Sequence, residues 1–370
     1  MRIAHLIYDD LGNPWLSGGG AVRAHEIYKR LADRHEITLI TGRYPGAPED
    51  EERGGYRIRR VGSEASYARS RLAYMRTALS TMRRLDCDIW VHEFSAFAPL
   101  LPSRSLRRRG VLFFYHFVGS YAFTKHPLVG GVSWLAEALT LRAYERILTI
   151  SPSVTAEVRK RLGDGATINC VYTGVDSVFF DLEPEDGDYI LYFGRIDVVT
   201  KGLDVLFPAF AAIADEYPQI GLKVAGRGSE DQVIHLERLI ANASLDHRVE
   251  ICIGVDEATK GELLRKARFV CTPSRYEGWC IAAVEASAAG RPVLGTRIPG
   301  LTDAVRDGET GTLVAAGDVN QLTDGMRRYL DDSELRASQG AAGREWARRF
   351  DWDHIAEHQE RVLSEAANRV

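Results

Sequence analysis

Long hydrophobic runs are missing from this chain. No stretch approaches the ~18 consecutive apolar residues of a membrane-spanning helix, and the opening MRIAHLIYDD reads as a first strand, not a secretory signal. Cysteine is scarce. The five present, at 87, 170, 252, 271 and 280, are odd in number and show no Cys-x-x-Cys spacing. That disfavours a disulfide frame and a zinc site, and leads us to expect reduced thiols in a cytoplasmic setting. Low-complexity tracts and short tandem repeats are absent too.

What is present is ordinary globular composition, with 45% apolar and 26% charged residues. Its 370 residues allow two domains of usual size. A net charge of −4 conceals an asymmetry, because residues 1–180 hold 25 Lys+Arg against 18 Asp+Glu while residues 181–370 hold 22 against 33. The arginines of the first half gather at 53–60, 69–84 and 104–109. They form either solvated helix faces or a basic surface that meets anionic lipid or an acidic acceptor. No aromatics interleave with them in a recognisable module, so nucleic acid is not an expected partner.

The grammar is α/β. Ile3–Tyr8 is an apolar strand, followed by a loop with Gly18, Gly19 and Gly20, a helix over about 21–32 and a second strand at Ile37–Thr41. This is how a doubly wound sheet opens. The glycines lack the G-x-G-x-x-G spacing of a nicotinamide site. Gly19 and Gly20 serve either tight loop-to-helix packing or close approach of backbone to a ligand. Strands follow at 57–61, 89–92, 111–115, 148–151 and 168–172, with a helix over 72–85. His116 ends the strand Val111–Tyr115, where open sheets place ligand contacts; the alternative is a satisfied core histidine. His92, at the end of the preceding strand, is the weaker candidate, and Gly119-Ser120 lie just beyond His116. The acidic run DLEPEDGD at 181–188 reads as a junction. After it the pattern restarts, giving a first domain at 1–180, a second at 181–350 and a last helix at 351–370. Asp86-Cys87-Asp88 and Asp351-Trp352-Asp353 show D-x-D spacing, but neither follows an apolar strand. They read as a helix-to-strand turn and a helix cap, and no metal site is expected.

Chemistry concentrates in Cys271–Leu294, CTPSRYEGWCIAAVEASAAGRPVL. A loop over 273–278 enters a helix of small residues, Cys280–Ala289, stopped by Gly290. Ile281, Val284 and Ala288 make its inward stripe. Glu285 is its only charge, and an unpaired buried carboxylate is costly, so it must reach solvent or find donors such as ligand hydroxyls. Glu277 and Gly278 stand at the mouth of the helix, where N–H groups favour an anion. Earlier, Arg195 and Lys201 lie at the two ends of a turn and suit a diphosphate. Carboxylates for hydroxyls and cations for phosphate together suit a nucleotide sugar.

The spacing Glu277-Gly278-Trp279-Cys280-x4-Glu285 resembles the E-x7-E signature of retaining glycosyltransferases of the family 4 type. Gly194-Arg195-x5-Lys201-Gly202 is similar to the family's G-R-x4-K-G element, with one residue more. Trp279 and Cys280 stand where the family has Phe or Gly-Phe-Gly. The resemblance is strong over 189–314 and looser before. It implies a GT-B architecture: two Rossmann-like α/β domains facing across a cleft, with the C-terminal helix crossing back to the first. It implies metal-independent, cofactor-free transfer of a sugar from a nucleotide-diphosphate sugar to an acceptor hydroxyl, with retained anomeric configuration. By residue, it implies His116 beside the donor sugar, Arg195 and Lys201 on the diphosphate, Glu277 on sugar hydroxyls and Glu285 on the ribose. Gly19, Gly20, Gly194, Gly278, Trp279, Cys280 and Ile281 would line the donor, with Ile253 and Val255 at the base. The alternatives are another GT-B enzyme (a nucleotide-sugar epimerase or a sugar phosphorylase) or a non-catalytic nucleotide-sugar-binding protein. Intact Arg195, Lys201, Glu277 and Glu285 argue against the last. Expected partners are a UDP or GDP sugar and a sugar, lipid-carrier or small-molecule acceptor. The expected location is the cytoplasm, with peripheral contact at the membrane's inner face through the basic first domain.

Overall fold

A computed structural model describes residues 1–16, 18–95, 98–99, 102–117 and 127–369. The chain divides into two compact units, Met1–Thr173 with Trp352–Val370, and Gly174–Asp351.

The first unit carries strands β1 (Arg2–Leu6), β2 (Glu36–Gly42), β3 (Asp50–Arg53), β4 (Tyr56–Val61), β5 (Ile89–Glu93), β6 (Gly110–Phe114), β7 (Arg146–Thr149) and β8 (Thr167–Cys170). They form one sheet in the order β3-β4-β2-β1-β5-β6-β7-β8. All neighbours are parallel except β3, which runs antiparallel to β4. Every residue of β6, GVLFF, is buried, as expected of a parallel strand covered on both faces. Helices are α1 (Gly19–Leu31), α2 (Tyr67–Arg84), α3 (Arg104–Arg108), α4 (Pro127–Ala143) and α5 (Pro152–Leu162).

Two local expectations change here. The segment at Gly19 and Gly20 is helical, not loop: Gly18 is extended and α1 begins at Gly19. Strand β3 was not expected, since DEER has no apolar alternation. It forms because Gly54 and Gly55, both at positive φ, turn the chain back in two residues. Buried Arg60 then binds Glu51 at 2.6 Å and Asp10 at 2.7 Å, so ion pairing holds this charged edge strand in place.

The second unit is built from β9 (Tyr189–Arg195), β10 (Gly221–Arg227), β11 (Val249–Ile253), β12 (Ala267–Thr272), β13 (Val293–Thr296) and β14 (Gly311–Val314). All are parallel, in the order β11-β10-β9-β12-β13-β14. Its helices are α6 (Leu203–Ala214), α7 (Glu230–Asn242), α8 (Glu257–Lys266), α9 (Ile281–Ala288), α10 (Leu301–Ala304), α11 (Val319–Asp331) and α12 (Ser333–Ala347). The sequence reading omitted α7 and α12. Both carry start signals, a Ser229/Gln232 capping box and an Asp332 cap on Leu335. Tyr192, Phe207, Phe210, Leu236, Met326 and Tyr329 fill the core, where burying one such apolar side chain stabilises by about 1.5–3 kcal/mol. The acidic run at 181–188 lies within this unit. Asp186 accepts from Arg336 at 2.5 Å and Arg268 at 3.1 Å, which anchors the segment.

The last helix, α13 (Trp352–Ala367), belongs to the first unit. The Arg23 guanidinium of α1 donates to Gln359 Oε1 at 2.7 Å. No helix among the described residues is long and apolar enough to cross a membrane.

Candidate functional site

In the second unit the strand order reverses between β9 and β12. Chains leaving two such strands diverge to opposite faces and open a crevice beyond their carboxyl ends. The sequence places its motifs there. Arg195 is the last residue of β9, exposed, and the Lys201 loop follows; Glu277 follows β12.

The loop after β9 is a hydrogen-bonded turn. Asp197 accepts the Thr200 N–H on its carboxylate at 3.0 Å and the Lys201 N–H on its carbonyl at 2.9 Å. Gly202 then starts α6 at φ +68, and a Cβ there would lie 2.0 Å from the Pro273 carbonyl oxygen. Only glycine brings the two loops this close. Arg275 ties them from the other side. Its guanidinium spans both Asp204 carboxylate oxygens at 2.6 and 2.8 Å and donates to the Val199 carbonyl at 2.8 Å.

Held in this way, the Lys201 ammonium meets Glu277 Oε1 at 2.5 Å, and the Ser274 hydroxyl donates to the same oxygen at 2.8 Å. Gly300, at φ +84, packs where a Cβ would lie 2.7 Å from the Glu277 carbonyl oxygen. The helix beyond begins at Ile281, not Cys280, so Gly278 belongs to its approach. Trp279 is buried and meets the Phe350 ring edge-on at 5.0 Å. Cys280 is buried as well. Burial first, then the Glu277 charge, pushes its thiol up to about 12, so it stays neutral. These two side chains are core, which leaves their backbone as the part at the helix entrance. Ile253 is half exposed at the end of β11, with Gly254 and then Val255 after it.

Glu285 faces α8 and has a donor from the protein itself. Lys260, on α8, donates to Glu285 Oε1 at 2.7 Å and also reaches Glu257 Oε2 at 2.7 Å. Burial raises the Glu285 carboxyl above its usual range, opposed by the Lys260 charge. Lys260 is raised as well, because its two carboxylates outweigh its own burial. Sequence reasoning missed this lysine, since a Lys in the helix DEATKGELLRK reads as surface.

In the first unit the reversal falls between β1 and β5. A Cβ on Gly18 would lie 2.9 Å from Asp9 Oδ2, and one on Gly20 would lie 2.8 Å from Glu93 Oε1. The first turn of α1 therefore sits directly on two carboxyl groups, Asp9 after β1 and Glu93 at the end of β5. Burial, then the Glu93 charge, raises Asp9 to about 7. Glu93 lies 3.0 Å from His5 Nε2. Neither acid was singled out from sequence; their only signal was position at strand ends. His116 is exposed just after β6, while Gly119 and Ser120 lie outside the described residues. His92 is core. Its ring takes the Tyr144 hydroxyl at 2.7 Å, and burial holds it down to about 3.

The D-x-D segments serve structure. Asp86 and Asp88 clasp Arg2, the latter at 2.7 Å, and Asp353 in the first turn of α13 binds Arg30 at 2.5 Å. Among the described residues no group of three His, Cys, Asp or Glu side chains is placed to hold a metal ion.

With this geometry established, the comparisons with known proteins identify the class. Residues 17–179 match the family Glycosyltransferase Family 4 and residues 176–346 match Glycosyl transferases group 1. The chain belongs to the family-4-type glycosyltransferases of GT-B fold. Among relatives, it is 35% identical over 185 residues to a phosphatidyl-myo-inositol mannosyltransferase of Mycobacterium leprae, covering 50% of this chain and 48% of that protein. The chain spans about half the length of the curated mannosyltransferases it matches. Among solved structures, sucrose-phosphate synthase of Thermosynechococcus elongatus superposes with a TM-score of 0.85 at 20% identity, covering 99% of this chain and 98% of that one. Anabaena HepE, solved with UDP and glucose, gives 0.75 at 18% identity, covering 99% and 100%.

Proposed function

We propose that this chain transfers a sugar from a nucleotide-diphosphate sugar to an acceptor hydroxyl with retention of anomeric configuration, without a metal. The observation that carries the reading is the Lys201–Glu277 contact at 2.5 Å, which joins the loops leaving β9 and β12 at the strand-order reversal. Arg195 and Lys201 would take the diphosphate, and their fixed charge would stabilise the negative charge that develops on it. Glu277 would hold sugar hydroxyls and Glu285 the ribose, with Ile253 and Val255 beside the base and the backbone of Gly194 and of residues 278–281 along the phosphates. His116 and the first turn of α1 at Gly19 and Gly20 would be further donor contacts. In the transfer, the bond between the anomeric carbon and the phosphate oxygen breaks. The acceptor oxygen bonds to that carbon from the same face, and its proton passes to the departing phosphate. A binding protein without activity is less well supported, because both cations and both carboxylates of the motif are intact, and an epimerase or phosphorylase is less well supported because both family matches are to glycosyltransferases.

The mannosyltransferase relatives act on phosphatidylinositol by name, which motivates a lipid-borne acceptor. Exposed Val132, Trp134, Leu135 and Leu139 on α4 support peripheral contact with a membrane's cytoplasmic face. Arg142 extends that face, and Arg146, just beyond α4, reaches the Arg108 carbonyl of the basic α3 at 2.6 Å. Incubation with a donor and a candidate acceptor, with NMR of the product's anomeric proton, tests the chemistry. A product of the donor's configuration supports retention, and an inverted product rules it out.

A further inference from the structure

A buried lysine is uncommon unless paired, and Lys260 is paired on every side. Its side chain is 8% exposed, with Glu285 and Glu257 each 2.7 Å from the ammonium. The rings of Phe179 and Phe193 lie 4.9 and 5.4 Å away, close enough for cation–π attraction. The contact engages only Oε1 of Glu285, which leaves Oε2 as an acceptor. Resting on the nucleotide-sugar reading, we propose that Lys260 is a positioning residue for ribose recognition: its ammonium fixes the Glu285 carboxylate so that the free oxygen receives the hydroxyls of a ribonucleoside diphosphate.

The electrostatics require such a partner. Glu285 is faced by Glu257 from α8 and by Asp176 from the segment before β9, with the neutral Cys280 thiol at the start of its own helix. Burial and both acids favour its protonated form, and the Lys260 cation opposes them. Without that cation the balance shifts towards the protonated carboxyl, a weaker acceptor, since bonds to an ionised group are about twice as strong as neutral ones.

The test is titration calorimetry with UDP, GDP and ADP and their 2′-deoxy counterparts dUDP, dGDP and dADP, on wild type, K260M and K260R, with a thermal melt of each. Wild type should bind the ribonucleotide about tenfold or more tighter than the deoxynucleotide, the value of one hydrogen bond to a charged group. K260M should reduce that ratio several-fold, weakening the ribonucleotide more than the deoxynucleotide, which keeps only its 3′-hydroxyl, and K260R should recover it. A K260M protein that keeps the ratio, or that weakens both ligands in parallel, overturns the positioning role and leaves the nucleotide site standing. A wild type that binds none of the three ribonucleotides overturns this inference, and one that binds no nucleotide at all removes the site itself.

Discussion

The Lys201 ammonium and the Glu277 carboxylate meet at 2.5 Å although 76 residues separate them in sequence. Neither would be placed by its own loop alone. Gly202 and Gly300 allow the close approach, and Arg275 fastens one loop to the other. The cation for phosphate and the carboxylate for sugar hydroxyls therefore form one rigid pair at the reversal of strand order.

Lys201→Met should reduce transfer by about 100-fold or more, the cost of one lost transition-state donor. Circular dichroism should show the fold retained. Turnover within a few-fold of wild type would remove Lys201 from the mechanism.

Gly202→Ala should be harmful although it adds one methyl. A left-handed backbone costs a non-glycine residue about 1–2 kcal/mol, and here the Cβ also runs into the Pro273 carbonyl. Thermal denaturation should show a fall in melting temperature, and nucleotide affinity should fall with it. An unchanged melt would mean that the two loops are not packed as described.

Asp9 gives a pH signature. It titrates at about 7 in the folded chain, above its ordinary 3.8, so the folded state holds a proton that the unfolded state releases between about pH 4 and 7. Its stabilising contribution is complete below that window and is lost as pH rises through 7. Asp9→Asn should therefore gain melting temperature over wild type at pH 8 more than at pH 5. Equal differences at the two pH values would contradict the raised titration.

The exposed face of α4 predicts membrane affinity. Wild type should co-sediment with phosphatidylglycerol vesicles at low salt, and the double variant W134S/L135S should do so distinctly less. Equal recovery of both proteins would place the contact elsewhere or nowhere.

The sequence reading succeeded where local chemistry and structure coincide. Apolar runs such as Val111–Phe114 marked central strands, and the spacing of Glu277 and Glu285 marked one loop and its helix. It failed where tertiary contacts decide. DEER at 50–53 has no strand pattern, and becomes a strand through Arg60 and a Gly-Gly turn. For Glu285, what the spacing could not reveal is a protein donor beside the ligand hydroxyls expected of it: Lys260, 25 residues away in another helix. Trp279 looked like a ligand contact by motif position, and the packing of Phe350 against its ring turns it into core. Asp9 and Glu93 acquire their coupling only when β1 and β5 pair.

Calorimetric titration of the protein with UDP, GDP, ADP and dTDP, with and without EDTA, tests the central claim most directly. The account predicts that one nucleotide binds selectively, that EDTA leaves its affinity unchanged, and that Lys201→Met weakens it. Binding of none of the four, or binding that EDTA abolishes, would contradict a site built on Arg195, Lys201, Glu277 and Glu285.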